Sequence, residues 1–245
     1  YVAYCLSKLT IPLTDKFVVT SIKGIIPDHY QLVGQYLFDN FDVKEQQLGI
    51  VSGPCHAEEV ALERLSYLTI AAQDEAKAQV VADCLACDFI KTKLSNDIYG
   101  TEFGAVLKNI YAIAAGIAHG LGYGDNFQAV LMSNAIREMN YILKTASPMK
   151  RKINDSAYLG DLLVTGYSFF SRNRMFGNMI GKGYTVKSAI LEMSMVAEGY
   201  YATKGVAIMN EQYQIKAPII NAVHKILYED KNAKKTFEKL SKKLD

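Results

Sequence analysis

Residues 98–118 read IYGTEFGAVLKNIYAIAAGIA, and this stretch decides the fold. Its apolar residues fall on every side of a 3.6-residue period. The segment is therefore predicted to be a helix buried nearly all round, in the interior of a helical assembly. Gly120, Gly122 and Gly124 break it, and Asp125 or Asn126 is placed to cap the next helix. In that helix Leu131, Met132, Ala135, Ile136, Met139, Ile142 and Leu143 recur at helical spacing. Gly181 and Gly183 end a later helix, and residues 186–195, 200–212 and 218–228 read as three more. The tail, 231–245, is a charged amphipathic helix whose Lys run reads as a solvated face rather than a binding patch. With five or six helical segments and little strand signal, residues 97–245 form an all-helical unit.

Upstream the pattern differs. Residues 16–21 (KFVVTS), 48–51, 67–72 (YLTIAA) and 89–93 are short apolar or β-branched runs. Helix-period segments at 30–41, 57–64 and 74–87 lie between them. Strands alternating with helices imply a parallel sheet with covered faces. The chain thus divides near Asn96 into an α/β half, 1–96, and a helical half, 97–245. A cleft between two unlike units is a common seat for a substrate. No strand, G-x-G-x-x-G and helix occur in succession. The nearest stretch, GLGYG at 120–124, has the wrong spacing and follows a helix, so it reads as a helix stop. The opening YVAYCLSKLTIPL begins on Tyr1 and reads as the middle of something longer, with sequence expected upstream.

Composition narrows the function classes. Lys and Arg number 27 against 25 Asp and Glu, a net charge of +2 that argues against a general nucleic-acid binder. The longest strongly apolar run, 110–118, is too short to span a bilayer, and no basic stretch precedes an apolar run at the start. Four cysteines, Cys5, Cys55, Cys84 and Cys87, are sparse enough to fit a reducing cytoplasm. Cys84 and Cys87 form a C-x-x-C, readable as a redox pair or half a zinc site. Without a second pair or nearby His, they read better as small buried residues on a helix, and no metal is expected.

Several residues carry chemistry. Lys108-Asn109 sits inside the apolar helix, where an ammonium is costly unless paired. Either Lys108 is a desolvated acid or base, or its stem lies on the apolar face while its head reaches solvent. Asp161, in LGDLL at 159–163, could hold a lysine in place or serve as a turn or cap residue. Ser171-Arg172-Asn173-Arg174 opens a helix. Two arginines there oppose the helix dipole, which favours an anion held by the free N–H groups and the guanidinium forks. Ser52-Gly53-Pro54 follows a strand, and Gly53 either admits a ligand close to the backbone or marks a plain turn. His56 and His119 are given no role.

Taken together these strings resemble the bacterial-type NAD(P)-dependent glycerol-3-phosphate dehydrogenase family. The matching strings are SIKG (21–24), SGP with AEE (52–54, 57–59), LKN (107–109), GLGYGDN (120–126), LGDLLVT (159–165), SRNRMFG (171–177) and VAEG (196–199). Each is weak alone, but seven in the family's order, over residues 16–228, are highly specific. The resemblance implies that 1–96 is the C-terminal part of a Rossmann-like NAD(P)-binding domain. It implies that 97–245 is a helical substrate domain like the C-terminal domain of 6-phosphogluconate dehydrogenase. It implies reversible reduction of dihydroxyacetone phosphate to sn-glycerol 3-phosphate with NADH or NADPH, for glycerophospholipid synthesis in the cytoplasm. By the same resemblance Lys108 is the acid/base, Lys23 a second cation near substrate and cofactor, and Asp161 the orienting carboxylate, with Thr165 and Asn109 beside it. Ser171, Arg172 and Asn173 grip the substrate phosphate. Gly53, Cys55 and Ala57 border substrate and cofactor, Arg172 also meets the cofactor, and Val196 and Glu198 form its far wall. The implied partners are a small phosphorylated substrate, with neither nucleic acid nor a membrane span, and room for a homodimer.

Cys55 stands where the family usually has Ser or Thr, Gly166 replaces a bulkier residue, and the Gly-rich nucleotide-binding front has no counterpart. Two other functions compete: a non-catalytic assembly module that keeps the fold, and a sister dehydrogenase of another hydroxy acid, against which the Ser171-Arg172-Asn173 string argues.

Overall fold

A computed structural model describes residues 2–193, 195 and 197–244, with the side chains of Gln212 and Tyr213 left aside. Helix α1 (Val2–Leu6) leads to strand β1 (Val18–Thr20). A two-stranded antiparallel ribbon follows, β2 (Ile25–Ile26) and β3 (Gln31–Leu32), then helix α2 (Val33–Phe41). Next come β4 (Leu48–Ser52), α3 (Ala57–Val60), β5 (Ser66–Ala72), α4 (Glu75–Leu85) and β6 (Ile90–Ser95). The main sheet has the order β1-β4-β5-β6. The parallel pairing expected from the sequence holds for β1 with β4 and for β5 with β6. Between them lies an antiparallel seam, Gly49 opposite Ala72 and Ser52 opposite Thr69.

The seam has a local cause. Residues 57–64 were expected to form a helix long enough for a crossover, but α3 is four residues long. Glu63, at φ 54°, breaks the turn, and the Arg64 N–H bonds back to the Glu59 carbonyl. Parallel strands need a crossover of a dozen or more residues, usually helical. This segment only reverses the chain, so β5 returns antiparallel. Strand β4 is buried at all five residues, which explains its unbroken apolar run.

Helix α5 (Ile98–Gly120) is the hub, buried at nearly every position as its sequence requires. Asp97 caps it, accepting from the Gly100 N–H at 2.9 Å and pairing with the Arg151 guanidinium. Around it stand α6 (Asp125–Ala146), α7 (Asp161–Tyr167), α8 (Arg172–Gly181), α9 (Val186–Glu192), α10 (Glu198–Tyr213), α11 (Pro218–Tyr228) and α12 (Ala233–Ser241). A π-helical turn at Ser156–Gly160 leads into α7. Eight α-helices after residue 97 among the described residues exceed the five or six expected. Helix α9 was expected, over 186–195, but the short α7, seven residues, carries too little periodicity to be read.

Other expectations need correction. Gly124 occupies the N-cap of α6, and Asp125 is its first residue rather than its cap. Cys84 and Cys87 are exposed and unbonded, not buried. Helix α4 packs through Ala78 and Ala82, one turn apart, and neither cysteine lies on that stripe. No helix among the described residues is long and apolar enough to cross a membrane.

One contact fixes the site's geometry. Helices α5 and α8 meet along four glycines, Gly116, Gly120, Gly177 and Gly181. A Cβ at Gly177 would stand 2.1 Å from the Ile113 carbonyl oxygen, and one at Gly116 2.1 Å from that of Arg174. Only bare backbone allows that approach. It locks the start of α8 relative to the middle of α5.

Candidate active site

The parallel strands β1 and β4 deliver their C-terminal ends to one place. Three residues past β1 stands Lys23, and immediately past β4 comes Gly53. Gly53 has φ 131°, and a Cβ there would lie 2.5 Å from the Tyr67 carbonyl oxygen, so only glycine makes this turn. Strand ends of an open α/β sheet are where such folds hold ligands. Facing them, α5 presents Lys108 and Asn109, α7 presents Asp161 and Thr165 one turn apart, and α8 begins with Ser171, Arg172 and Asn173.

Asp161 is 1% exposed and sits between two ammonium groups. Lys108 Nζ lies 2.5 Å from its Oδ1, and Lys23 Nζ 3.2 Å from its Oδ2. The Ser52 hydroxyl adds a 3.4 Å contact. Burial pushes the Asp161 carboxyl up, but Lys108 and Lys23 outweigh it and hold it below the ordinary carboxylate value. Lys108 is 5% exposed. Burial drives its ammonium down to about 8, with Lys23 pushing the same way and Asp161 pulling against both. Lys108 therefore did not snorkel to solvent; its head is buried and paired.

The hydrogen bonds leave a proton free. Lys108 Nζ donates to Asp161 and, at 2.9 Å, to Thr165 Oγ1, whose own hydroxyl donates to the Asp161 carbonyl at 2.6 Å. An ammonium has three N–H groups, so one remains. Lys23 likewise donates to Asp161 and, at 3.0 Å, to the Gly53 carbonyl. Asn109 Nδ2 donates to the Lys23 carbonyl at 2.6 Å, tying the loop after β1 to α5.

These groups open on a cavity of about 260 Å³. Ser171 caps α8, its Oγ accepting from the Arg174 N–H at 3.3 Å. Arg172 is exposed at the cavity and has no partner among the described residues. A helix N-terminus with an unpaired guanidinium attracts anions. Asn173 Oδ1 accepts from the Gly199 N–H at 2.9 Å, docking the start of α10 and bringing Glu198 to the cavity wall.

The structure brings together Lys23, Cys55, Ala57, Lys108, Asn109, Asp161, Thr165, Ser171, Arg172, Asn173 and Glu198 around this one cavity. Gly53 reaches it through its carbonyl. Val196 lies outside the described residues. Burial raises the Cys55 thiol above its ordinary value, so it stays protonated. Sequence reasoning passed over His56, Glu58 and Phe170, which also line the cavity, and Ser52, which touches Asp161. Their neighbours in the SGP and SRN strings were the available signal. His119 is exposed on the last turn of α5.

An α/β sheet hands one lysine to a cleft, against a helical unit supplying a second lysine bound to a buried carboxylate, which sets a proton-exchanging amine beside an anion seat. Residues 97–238 match the family described as NAD-dependent glycerol-3-phosphate dehydrogenase C-terminus, and residues 4–78 the corresponding N-terminus. Glycerol-3-phosphate dehydrogenase (NAD(P)+) 2 of Salinibacter ruber is 38% identical over 240 residues, covering 98% of this chain and 69% of the relative. The Staphylococcus haemolyticus glycerol-3-phosphate dehydrogenase (NAD(P)+) is 35% identical over 228 residues, covering 93% and 69%. A crystal structure of glycerol-3-phosphate dehydrogenase from Coxiella burnetii superposes with a TM-score of 0.85 at 28% identity, covering 91% of this chain and 67% of that one. The chain belongs to the NAD-dependent glycerol-3-phosphate dehydrogenase family, and it spans about two-thirds of the length of these relatives.

Proposed function

We propose that this chain reduces dihydroxyacetone phosphate to sn-glycerol 3-phosphate, reversibly, with NADH or NADPH, and so supplies glycerophospholipid synthesis in the cytoplasm. The observation that carries the proposal is the Lys108–Asp161–Lys23 cluster, opening on the same cavity as Ser171, Arg172 and Asn173. The relatives' names supply the substrate and cofactor classes.

The residues present fit the reacting end of the cofactor. Lys23, Ala57, Arg172 and Glu198 line the cavity at the ends of parallel strands, and they would hold it there, with Val196 assigned by resemblance. Bound NADH or NADPH supplies the hydride for C2 of the substrate. Arg172, with the Ser171 and Asn173 end of α8, holds the phosphate and orients the ketone. Negative charge develops on the C2 oxygen, and the free N–H of Lys108 stabilises it and delivers the proton. Asp161 and Thr165 aim that amine. Lys23 offsets negative charge at the strand ends. In the reverse direction neutral Lys108 takes the proton from the C2 hydroxyl.

We assign residues 1–96 to the nucleotide-binding part and 97–245 to the helical substrate part. A homodimer is our assignment for the assembly. The activity is tested by following NADH and NADPH absorbance with dihydroxyacetone phosphate. Wild-type protein should consume them, and Lys108→Ala should lose roughly 10²–10⁴ in kcat. Undiminished turnover by Lys108→Ala would defeat the mechanism.

A further inference from the structure

Given the reaction assigned above, we propose that His56 recognises the free hydroxyl of the substrate, at the end remote from its phosphate, and so selects which phosphorylated ketones are reduced. His56 stands just before α3, half-buried, and lines the same cavity as Lys108 and Asp161. Its imidazole has no hydrogen-bond partner among the described residues. Lys23, Lys108, Asn109, Asp161 and Thr165 each already have at least one partner. Asp161 takes two lysines, Thr165 bridges Lys108 to α7, and Asn109 holds the Lys23 backbone.

His56 follows the Ser52–Pro54 turn, whose Ser52 hydroxyl meets Asp161 and whose Gly53 carbonyl accepts from Lys23, so it stands toward the reacting end of the cavity. Lys108 on α5, Asp161 on α7, Lys23 after β1 and Glu58 on α3 act on its imidazole. Burial, then Lys108, push the imidazole below its ordinary value. It is neutral near pH 7, with one nitrogen donating and the other accepting.

Dihydroxyacetone phosphate is a three-carbon rod. With its phosphate at the start of α8 and its carbonyl at Lys108, the free hydroxymethyl extends past Lys108. A hydroxyl needs both an acceptor and a donor, and a neutral imidazole offers both. Glu58 is exposed and, when ionised, only accepts. Cys55 is a thiol, a weak donor. A site that hydrogen-bonds a substrate hydroxyl discriminates against the analogue lacking it.

The test compares kcat/KM for dihydroxyacetone phosphate and for hydroxyacetone phosphate, which carries a methyl in place of the free hydroxymethyl. Wild-type protein should prefer the first. His56→Phe should lower kcat/KM for dihydroxyacetone phosphate about tenfold, the worth of one hydrogen bond, and leave hydroxyacetone phosphate within about twofold. His56→Gln, which keeps a donor and an acceptor, should retain most of the preference. His56→Ala adds no bulk and should show the same selective loss as the phenylalanine variant. Equal losses on both ketones, or none on either, would overturn the role given to His56. Wild-type protein inert towards both ketones would instead overturn the reaction on which it rests, so the two failures are distinguishable.

Discussion

Replacing Asp161 by Asn removes one charge and almost no volume, and the consequence can be worked through from the cluster. The carboxylate faces Lys108 at 2.5 Å and Lys23 at 3.2 Å. It is what keeps the Lys108 ammonium, already driven to about 8 by burial, from falling further. A nearby opposite charge is worth about 1–3 pH units, so at about 2 units Lys108 would titrate near 6, and at pH 7.5 its protonated fraction would drop from roughly three-quarters to about 3%. Ketone reduction needs the proton, so that change alone costs roughly 25-fold in kcat. Lost aim of the amine adds up to about 10²-fold. The assay is initial-rate NADH oxidation by dihydroxyacetone phosphate between pH 5 and 9. The variant's alkaline limb should move about two units down, with part of the activity returning at the acid end. A uniform loss at every pH, with the limb still near 8, would refute the electrostatic role and leave Asp161 only a positioning one.

Two further predictions concern stability. Gly177→Ala sets a Cβ 2.1 Å from the Ile113 carbonyl oxygen, so α8 must move off α5; we expect a loss of about 1–3 kcal/mol in urea unfolding and a raised KM for the phosphorylated substrate, because Arg172 shifts with the helix. Glu138 accepts from the Ile219 and Ile220 N–H groups, and Glu102 from that of Gly34. Burial pushes each carboxyl up to about 7. The native state thus binds more protons than the unfolded one between the ordinary carboxylate value and about 7, so stability falls as pH rises through that window. Glu138→Gln and Glu102→Gln should each flatten this dependence in thermal melts from pH 4.5 to 8; an unchanged slope would contradict it.

Much of the molecule was legible beforehand because its signals are dense. A helix apolar all round has only one place to go, and α5 takes it. A lysine inside that helix is either paired or snorkels to solvent, and spacing left both open. Asp161 lies 53 residues away, and only the fold joins them. The antiparallel seam was hidden because a four-residue helix ended by Glu63 looks, as a string, like the start of a longer one. The α5–α8 seam was hidden because Gly120 and Gly181 read singly as helix stops and Gly116 and Gly177 gave no signal, whereas the use of all four is mutual approach. Cys84 and Cys87 were misplaced because burial of α4 depends on which stripe meets the sheet, and Ala78 and Ala82 settle that. His56 went unassigned because a lone histidine acquires meaning only from the lysines around it.

The most direct measurement is a pair of pH–rate profiles on the unaltered protein, one for each direction. Log kcat/KM for ketone reduction should fall above pH about 8, and that for alcohol oxidation should rise through the same value, because one amine gives the proton and takes it back. Profiles that bend the same way in both directions, or show no inflection near 8, would contradict Lys108 as the group that exchanges it.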